Sequence, residues 1–273
     1  MIFTSTFLRR VEIHKVVFFI SGDKVGEEIL NSLIPITNRS FYLVLDSPTA
    51  EINLILDHEN LHENVIYMGF DRPPWDEIAY KLGSLGILRG FSWFPYIFPK
   101  KIIHIFSLGI VNLHNSYLPY NRGRHSTFWA IVEDSPFGAS LHWVEEGIDS
   151  GSIIDQIEAK VPRFSNASVV YNRQLEACVQ LAKRYIPRLF QDEDLAKGQL
   201  QNADFTTHHF AREIELASSF SATSATTWEK VVRMICATST EKGSIQINYP
   251  DGASVKIRGS VIEVVDNKPE SES

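Results

Sequence analysis

The chain has 273 residues, of which 44% are hydrophobic and 22% are charged, so it is long enough to bury the core of a soluble globular protein. Its net charge of −7 argues against a protein that wraps DNA or RNA, because such proteins present a basic surface to the phosphates. No apolar run is long enough to cross a bilayer, and the first residues lack the charge-then-apolar order of a secretion signal. We therefore expect a cytoplasmic protein that binds neither nucleic acid nor membrane.

Strand and helix patterns alternate along the first half of the chain. Residues 15–20 form a continuous apolar run typical of a strand buried on both faces, and residues 21–23 supply a turn and a cap for the helical repeat that follows. Further strands are predicted at 42–45, 65–68 and 110–113, a helix at 76–82 leading into 85–91, and a helix at 99–106. This alternation predicts an α/β fold with a mostly parallel, Rossmann-like sheet flanked by helices.

The second half of the chain predicts one long helix and a small β-containing unit. The helix has its apolar face at Leu175, Cys178, Val179, Ala182, Ile186 and Leu189, and it should end or kink near Pro187. Residues 192–207 are polar, as expected at a boundary. Residues 228–236 are helical in pattern, and 244–249, 254–258 and 261–265 alternate as in a β-meander. We therefore predict a main domain over residues 1–195, a small C-terminal helix plus β-meander unit over 205–266, and a disordered tail over 267–273.

Ligands of open parallel sheets bind beyond the carboxyl ends of the strands, which draws attention to the loops after Phe91, after Leu113 and around 145–151. The strand at 110–113 runs into Asn112-Leu113-His114. Because side chains alternate along a strand, Asn112 and His114 should point to the same side. An amide beside an imidazole can hydrogen-bond a carbonyl oxygen and move a proton, although such a pair taken alone more often has an ordinary role at a strand end.

Three motifs that follow one another in the sequence favour a functional role for Asn112 and His114. They are His114-Asn115-Ser116-x-Leu118-Pro119-x-x-Arg122-Gly123, Gly138-Ala139-Ser140-Leu141-His142, and Glu146-Gly147-Ile148-Asp149-Ser150-Gly151. Together they resemble the folate-dependent formyltransferase family, which includes glycinamide ribonucleotide, methionyl-tRNA and nucleotide-sugar formyltransferases. The resemblance implies that Asn112, His114 and Asp149 are the catalytic residues, that residues 1–195 form the catalytic domain, and that N10-formyltetrahydrofolate donates the formyl group. No metal is implied, and no metal-ligand spacing is present.

The resemblance also implies where the two substrates bind. The donor pterin should lie between the segment Phe94, Pro95, Tyr96, Ile97 and Phe98 and the loop that includes Glu145, Gly147 and Ile148. Ordinary core packing is the alternative for each aromatic residue among them. On the acceptor side the resemblance points to Ser116, Tyr120, Asn121, Arg122 and Gly123. Arg122 has the alternative of holding its own loop by hydrogen bonds to backbone carbonyls.

The string NLHNSYLPYNRG and the following FWAI look most like the bacterial nucleotide-sugar N-formyltransferases. These act on dTDP-linked 3- or 4-amino-dideoxy sugars destined for surface polysaccharide such as O-antigen, and the resemblance also suggests a homodimer. The alternatives that stay open are a GDP- or UDP-linked amino sugar or tRNA as the acceptor, hydrolysis of formyltetrahydrofolate, and a binding module without turnover.

Overall fold

The computed structural model describes residues 15–36, 41–58, 61–191, 195–210, 212–213, 219–221, 228–238, 244–248 and 254–258. Its strands are β1 Val16–Ile20, β2 Phe41–Leu45, β3 Val65–Met68, β4 Arg89–Trp93, β5 Ile110–His114, β6 Arg122–Gly123, β7 Gly138–Trp143, β8 Ile153–Glu158, β9 His208–His209, β10 Ser219–Ser221, β11 Ser244–Asn248 and β12 Ser254–Arg258. Its helices are α1 Lys24–Leu33, α2 Ala50–His58, α3 Trp75–Leu85, α4 Lys100–Ile103, α5 Ser126–Glu133, α6 Ala167–Leu189 and α7 Trp228–Thr238.

The main sheet has seven strands in the order β3-β2-β1-β4-β5-β7-β8. Strands β1 to β5 pair in parallel, and β7 pairs with β5 antiparallel. The reversal of strand order beside β1 is typical of doubly wound α/β proteins, in which ligands bind at the carboxyl edge of the sheet. The α/β fold with a mostly parallel sheet, predicted from the alternating pattern, is confirmed.

Strand β1 is the centre of this sheet because all five of its side chains are completely buried. Val17 and Phe19 belong to one core cluster that includes Phe98 and Ile102. Burying a side chain of this size contributes about 1.5–3 kcal/mol, so a continuous apolar run is what such a strand requires. The rigid core holds the carboxyl end of each neighbouring strand in place.

One helix is shorter than the sequence prediction, and the long helix ends close to the predicted position near Pro187. The helix expected at 99–106 is limited to Lys100–Ile103, and the chain then continues in tight turns, with Ile105 N–H donating to the carbonyl of Ile102. Gly109, with φ of 76°, then leads the chain into β5. Helix α6 runs past Pro187 and ends at Leu189. Proline has no N–H to donate to the carbonyl four residues earlier, so the last turn of this helix lacks one hydrogen bond.

The chain divides into two compact units. The first includes the described residues up to His114 together with Ser140–Gln156 and Cys178–Gln201, and the second includes Asn115–Ala139, Ile157–Ala177 and the described residues from Asn202 onward. The core of the second unit joins side chains of α5, α6 and α7, among them Phe128, Ile131, Val170, Met234 and Cys236. Within the described residues, no helix is long and apolar enough to span a bilayer.

A three-stranded sheet lies in the second unit. Strands β11 and β12 pair antiparallel, as predicted for a meander, and β10 pairs with β11 in parallel. The strand predicted at 261–265 and the tail predicted at 267–273 lie outside the described residues. A separate two-stranded pairing joins β6 to β9 in parallel.

Candidate active site

Two antiparallel strands bring the first two predicted catalytic residues together with a third polar side chain. Asn112 on β5 stands opposite His142 on β7, and His114 stands opposite Ser140. Directly opposed residues of such a ladder have their side chains on the same face. The Asn112 Nδ2 atom accordingly lies 3.1 Å from His142 Nε2.

Asp149 completes the cluster from the loop between β7 and β8. Its Oδ2 atom lies 3.7 Å from His114 Nε2, and its Oδ1 atom lies 3.6 Å from His142 Nε2. One carboxylate therefore faces two imidazole rings whose centroids are 6.3 Å apart. The structure thus brings Asn112, His114 and Asp149 into one group, although they are separated in sequence. The Asp149 side chain is only 17% exposed, so solvent screens these contacts weakly.

The surroundings of His142 determine which of its ring nitrogens carries a hydrogen. Its Nδ1 atom lies 2.8 Å from the carbonyl oxygen of Trp143, which can only accept, so Nδ1 carries a hydrogen. In the neutral ring, Nε2 is then an acceptor and takes a hydrogen bond from the Asn112 amide. This contact turns the amide nitrogen of Asn112 toward His142 and fixes the orientation of its side chain. Sequence analysis included His142 in a motif but gave it no role.

His114 is the least satisfied polar side chain of the cluster. The residue is 9% exposed, and its Nε2 atom is buried without a hydrogen-bond partner among the described residues. Leaving a buried polar atom unpaired costs about 1–3 kcal/mol, which a protein tolerates mainly where the atom has a function. The His114 Nε2 atom lies 3.7 Å from the Asp149 carboxylate, which is beyond hydrogen-bond distance, so a bound substrate group can supply the missing partner.

Close approach at Gly151 shapes the loop that carries Asp149. A Cβ atom at Gly151 would stand 1.9 Å from the carbonyl oxygen of Trp143, the same oxygen that binds His142. Asp149 itself has φ of 49°, a left-handed conformation that is uncommon for a residue other than glycine. Strain of this kind is concentrated at functional sites, where the surrounding structure imposes it.

The predicted donor segment has a mixed environment. Phe98 is 8% exposed and contacts Phe19 in the core, with ring centroids 4.8 Å apart, while Phe94 packs against the same cluster. Tyr96 donates its hydroxyl hydrogen to the carbonyl of Asp71 at 3.1 Å. The exposed positions are Pro95 and Ile97. The side chains of Phe94 and Phe98 therefore hold the segment in place.

The opposing loop is tied to the same region by an ion pair. Glu146 lies 2.5 Å from Lys100, the first residue of α4. Glu145 and Gly147 are exposed, and Ile148 is half-buried. The loop thus presents backbone and polar groups at its tip, beside the carboxylate of Asp149.

The helix that follows β1 has its N-terminus filled by the protein itself. The Asp23 carboxylate accepts hydrogen bonds from the backbone N–H groups of Val25 and Gly26 and from Trp93 Nε1. Burial raises the pKa of Asp23, and these three donors oppose that shift. Because a carboxylate already occupies the usual anion site of such a helix, we do not expect a substrate phosphate there.

The predicted acceptor-side residues lie on a tightly bonded loop of the second unit. Leu118–Pro119 is a cis peptide, and Ser116 Oγ donates to the carbonyl of Tyr120 at 2.5 Å. Asn121 is 1% exposed, and its amide nitrogen donates to Ser135 Oγ at 2.6 Å, so this side chain acts inside the loop. Arg122 and Gly123 form β6, and Tyr120 lies beside Phe205. The partly exposed members of the set are Tyr120, Arg122 and Gly123.

Residues 88–186 match the formyl transferase family. The predicted resemblance to the formyltransferase family is confirmed. This segment includes the whole cluster of Asn112, His114, His142 and Asp149. The GDP-perosamine N-formyltransferase of Brucella melitensis is 31% identical to the chain over 119 residues, which is 43% of this chain and 44% of that relative. The chain therefore aligns with less than half of that formyltransferase.

Solved formyltransferases share the fold over most of the chain. A sugar N-formyltransferase from a Shewanella species has a TM-score of 0.69 at 18% identity, covering 92% of this chain and 99% of that one. An N-formyltransferase from Helicobacter canadensis, in complex with folinic acid and dTDP-3-aminofucose, has a TM-score of 0.63 at 17% identity, covering 84% and 82%. At these identities the likeness concerns the fold. The homodimer stays a prediction.

Proposed function

We propose that this protein transfers a formyl group from N10-formyltetrahydrofolate to the amine of a nucleotide-linked amino-dideoxy sugar. The observation that carries the proposal is the buried, unpartnered Nε2 atom of His114, which faces the Asp149 carboxylate at 3.7 Å. An imidazole, a carboxylate and an oriented amide on one sheet edge are the groups that acyl transfer to an amine requires.

The reaction forms a bond from the amine nitrogen to the formyl carbon and breaks the bond from that carbon to N10. The attacking nitrogen loses a proton, and N10 gains one. Negative charge develops on the formyl oxygen, where Asn112 and His114 can donate hydrogen bonds. A preorganised donor of this kind contributes about 10²–10³-fold in rate. Asp149 holds His114 in orientation and accepts the amine proton, directly or through water.

The donor is proposed on the chemistry of the site and on the formyltransferase match. Its pterin would lie between the segment 94–98 and the loop 145–148, with Pro95, Ile97 and Ile148 offering apolar surface. Since Phe94 and Phe98 are held in the core, backbone groups of this segment would make the polar contacts. When bound, the donor supplies an activated formyl carbon to the cluster.

The nucleotide of the acceptor is proposed to be dTDP, in keeping with the motif around 112–131 and with the sugar that accompanies the Helicobacter canadensis structure. GDP is the second candidate, because the Brucella relative is a GDP-perosamine enzyme. Tyr120 and Arg122 are the accessible residues of the acceptor loop, and a guanidinium suits a diphosphate. We therefore assign acceptor contacts to these two residues and a structural role to Ser116 and Asn121.

The experiment is an acceptor panel. Purified protein is mixed with N10-formyltetrahydrofolate and, separately, dTDP-, GDP- and UDP-linked 3-amino and 4-amino sugars, and products are read by mass spectrometry for a gain of CO. Formation of tetrahydrofolate only when an amino sugar is present supports transfer. Tetrahydrofolate and formate without acceptor would instead indicate a hydrolase, and no reaction with any mixture would indicate a binding module.

A further inference from the structure

A short segment of the chain, residues 195–201, is joined to the start of β8 by an isolated β-bridge, and we call it the strap. Ile153 and Gln199 exchange two backbone hydrogen bonds, each of 2.8 Å, in an antiparallel bridge. The indole of Trp143 donates to the carbonyl of Ala196 at 3.2 Å. The strap is thus fixed at two points to the strands on either side of the loop that carries Asp149.

The last residue of the strap reaches that loop directly. The Gln201 side-chain nitrogen donates to the carbonyl oxygen of Asp149 at 2.8 Å and to the carbonyl oxygen of Gly151 at 2.7 Å. Both acceptors are carbonyls, so the orientation of the Gln201 amide is unambiguous. One side chain therefore bonds the backbone on both sides of Ser150.

The backbone at this point needs such support. Asp149 adopts the left-handed conformation with φ of 49°, which costs free energy for any residue that carries a Cβ atom. Without an anchor, the residue would relax toward a right-handed or extended conformation. That rotation would carry the carboxylate away from His114 and His142. In the observed conformation its two oxygens lie 3.7 and 3.6 Å from the Nε2 atoms of these residues.

We infer that Gln201 is a positioning residue for formyl transfer, which holds the Asp149 backbone in its strained conformation and so sets the carboxylate against the two imidazoles. The expected loss of turnover rests on the proposed function. The role of Gln201 in holding the loop does not depend on it. Gln201 does not touch the reacting atoms; it acts through Asp149.

The main test is Gln201→Glu, with Gln199→Glu as the matched control. Glutamate keeps the length of the side chain but replaces the NH2 group, which supplies both donors, by an oxygen that the two carbonyls repel. Gln199 lies two residues away in the same strap, and its exposed side chain is not needed for the bridge, which uses its backbone. The two variants therefore carry the same change of charge on the same segment.

We expect Gln201→Glu to lower kcat by about tenfold or more while both KM values stay within about twofold, because orientation of the carboxylate matters mainly during the reaction. Gln199→Glu should match wild type. Gln201→Lys, whose ammonium can donate to both carbonyls, should recover part of the lost kcat. Gln201→Met, which has neither charge nor donor, is the second variant if the glutamate variant does not fold.

Hydrogen exchange over residues 145–151 gives a readout that needs no turnover. We expect faster exchange in Gln201→Glu than in Gln199→Glu, at equal melting temperatures. Equal exchange and equal kcat in the two variants would overturn the inference, as would a rise in KM with kcat unchanged. If wild type transfers no formyl group to any acceptor, the proposed function fails, whereas the exchange comparison still decides the role of Gln201.

Discussion

The central feature at the scale of single residues is one carboxylate shared by two imidazoles. Asp149 contacts both His114 and His142, and the Nε2 atom of His114 is buried without a hydrogen-bond partner among the residues described. His142 is bonded at Nδ1 and contacts Asn112 at Nε2. We therefore propose a reactive role for His114 and an orienting role for His142.

We expect Asp149→Asn and His114→Ala each to lower kcat by at least about a hundredfold, since each removes a group that moves or stabilises the transferred proton. Steady-state kinetics with the donor and a reactive acceptor checks this. Asp204→Asn, a change at an exposed position, serves as the control and should keep full activity. Wild-type kcat in both site variants would remove these residues from the mechanism.

We expect His142→Leu to lower kcat by about tenfold while leaving the fold intact. The substitution removes the acceptor that orients the Asn112 amide, so that the amide spends less time pointing at the formyl oxygen. His104→Asn, at an exposed position outside the cluster, is the comparison. An unchanged kcat in His142→Leu would mean that Asn112 is oriented by other contacts.

At the scale of elements, the β7–β8 loop depends on a glycine. We expect Gly151→Ala to lower the melting temperature and kcat together, because the added Cβ would meet the Trp143 carbonyl at 1.9 Å and displace the loop. Gly83→Ala in α3 is the matched control. Apart from its chain neighbours and the adjacent backbone of α3, no atom lies within 4 Å of a Cβ at Gly83. Alanine favours a helix over glycine by about 1 kcal/mol, so that variant should be at least as stable as wild type.

If Gly151→Ala melts like wild type and keeps its kcat, the loop has more freedom than the close contact implies. If Gly83→Ala is the less stable of the two, the comparison of glycines is wrong. Both melting curves are measured at one protein concentration, so that self-association does not affect the comparison.

An ion pair joins α5 to α7 within the second unit. Arg233 bonds Asp134, just beyond the end of α5, and also donates to the carbonyl of Ile131. The hydrogen bond from Arg233 lowers the pKa of Asp134 below its ordinary value. A carboxyl whose pKa is lowered by folding contributes stability at neutral pH, and that contribution is lost as the pH falls through the folded-state pKa.

We therefore expect Arg233→Met to reduce the free energy of unfolding at pH 7 by about 1 kcal/mol or less, because Asp134 is largely exposed. The difference from wild type should shrink below pH 4, where the carboxyl is protonated in the unfolded state. Urea unfolding at pH 7 and pH 3 measures it. Arg173→Met, which breaks an exposed pair with Glu176, should show a smaller effect at pH 7. A difference that grows in acid would contradict the assignment.

Across the whole molecule, local sequence patterns predicted the helices and strands. They did not predict which residues of distant strands stand opposite each other. The apolar runs and helical repeats predicted the α/β fold. The three motifs, through the resemblance to formyltransferases, predict that Asn112, His114 and Asp149 act together. The role of His142 required the register of β5 against β7, which joins segments about thirty residues apart and leaves no mark in either segment alone.

The strap was equally invisible in sequence. Residues 192–207 are polar, and polarity predicts a boundary, whereas the bridge between Ile153 and Gln199 uses backbone groups that every residue has. In the sequence, nothing distinguishes Gln201 from the neighbouring polar residues, because its hydrogen bonds to Asp149 and Gly151 depend on the fold. The fold and the grouping of Asn112, His114 and Asp149 could be predicted from sequence, whereas the contacts that orient these side chains could not.

The most direct test of the account follows a labelled formyl carbon. N10-formyltetrahydrofolate carrying ¹³C in the formyl group is mixed with the protein and a nucleotide-linked amino sugar, and the carbon is followed by NMR. We expect the label to appear as a formamide on the sugar with wild type, and to remain on the donor with Asp149→Asn. Label released as free formate, or transferred equally well by the variant, would contradict the account.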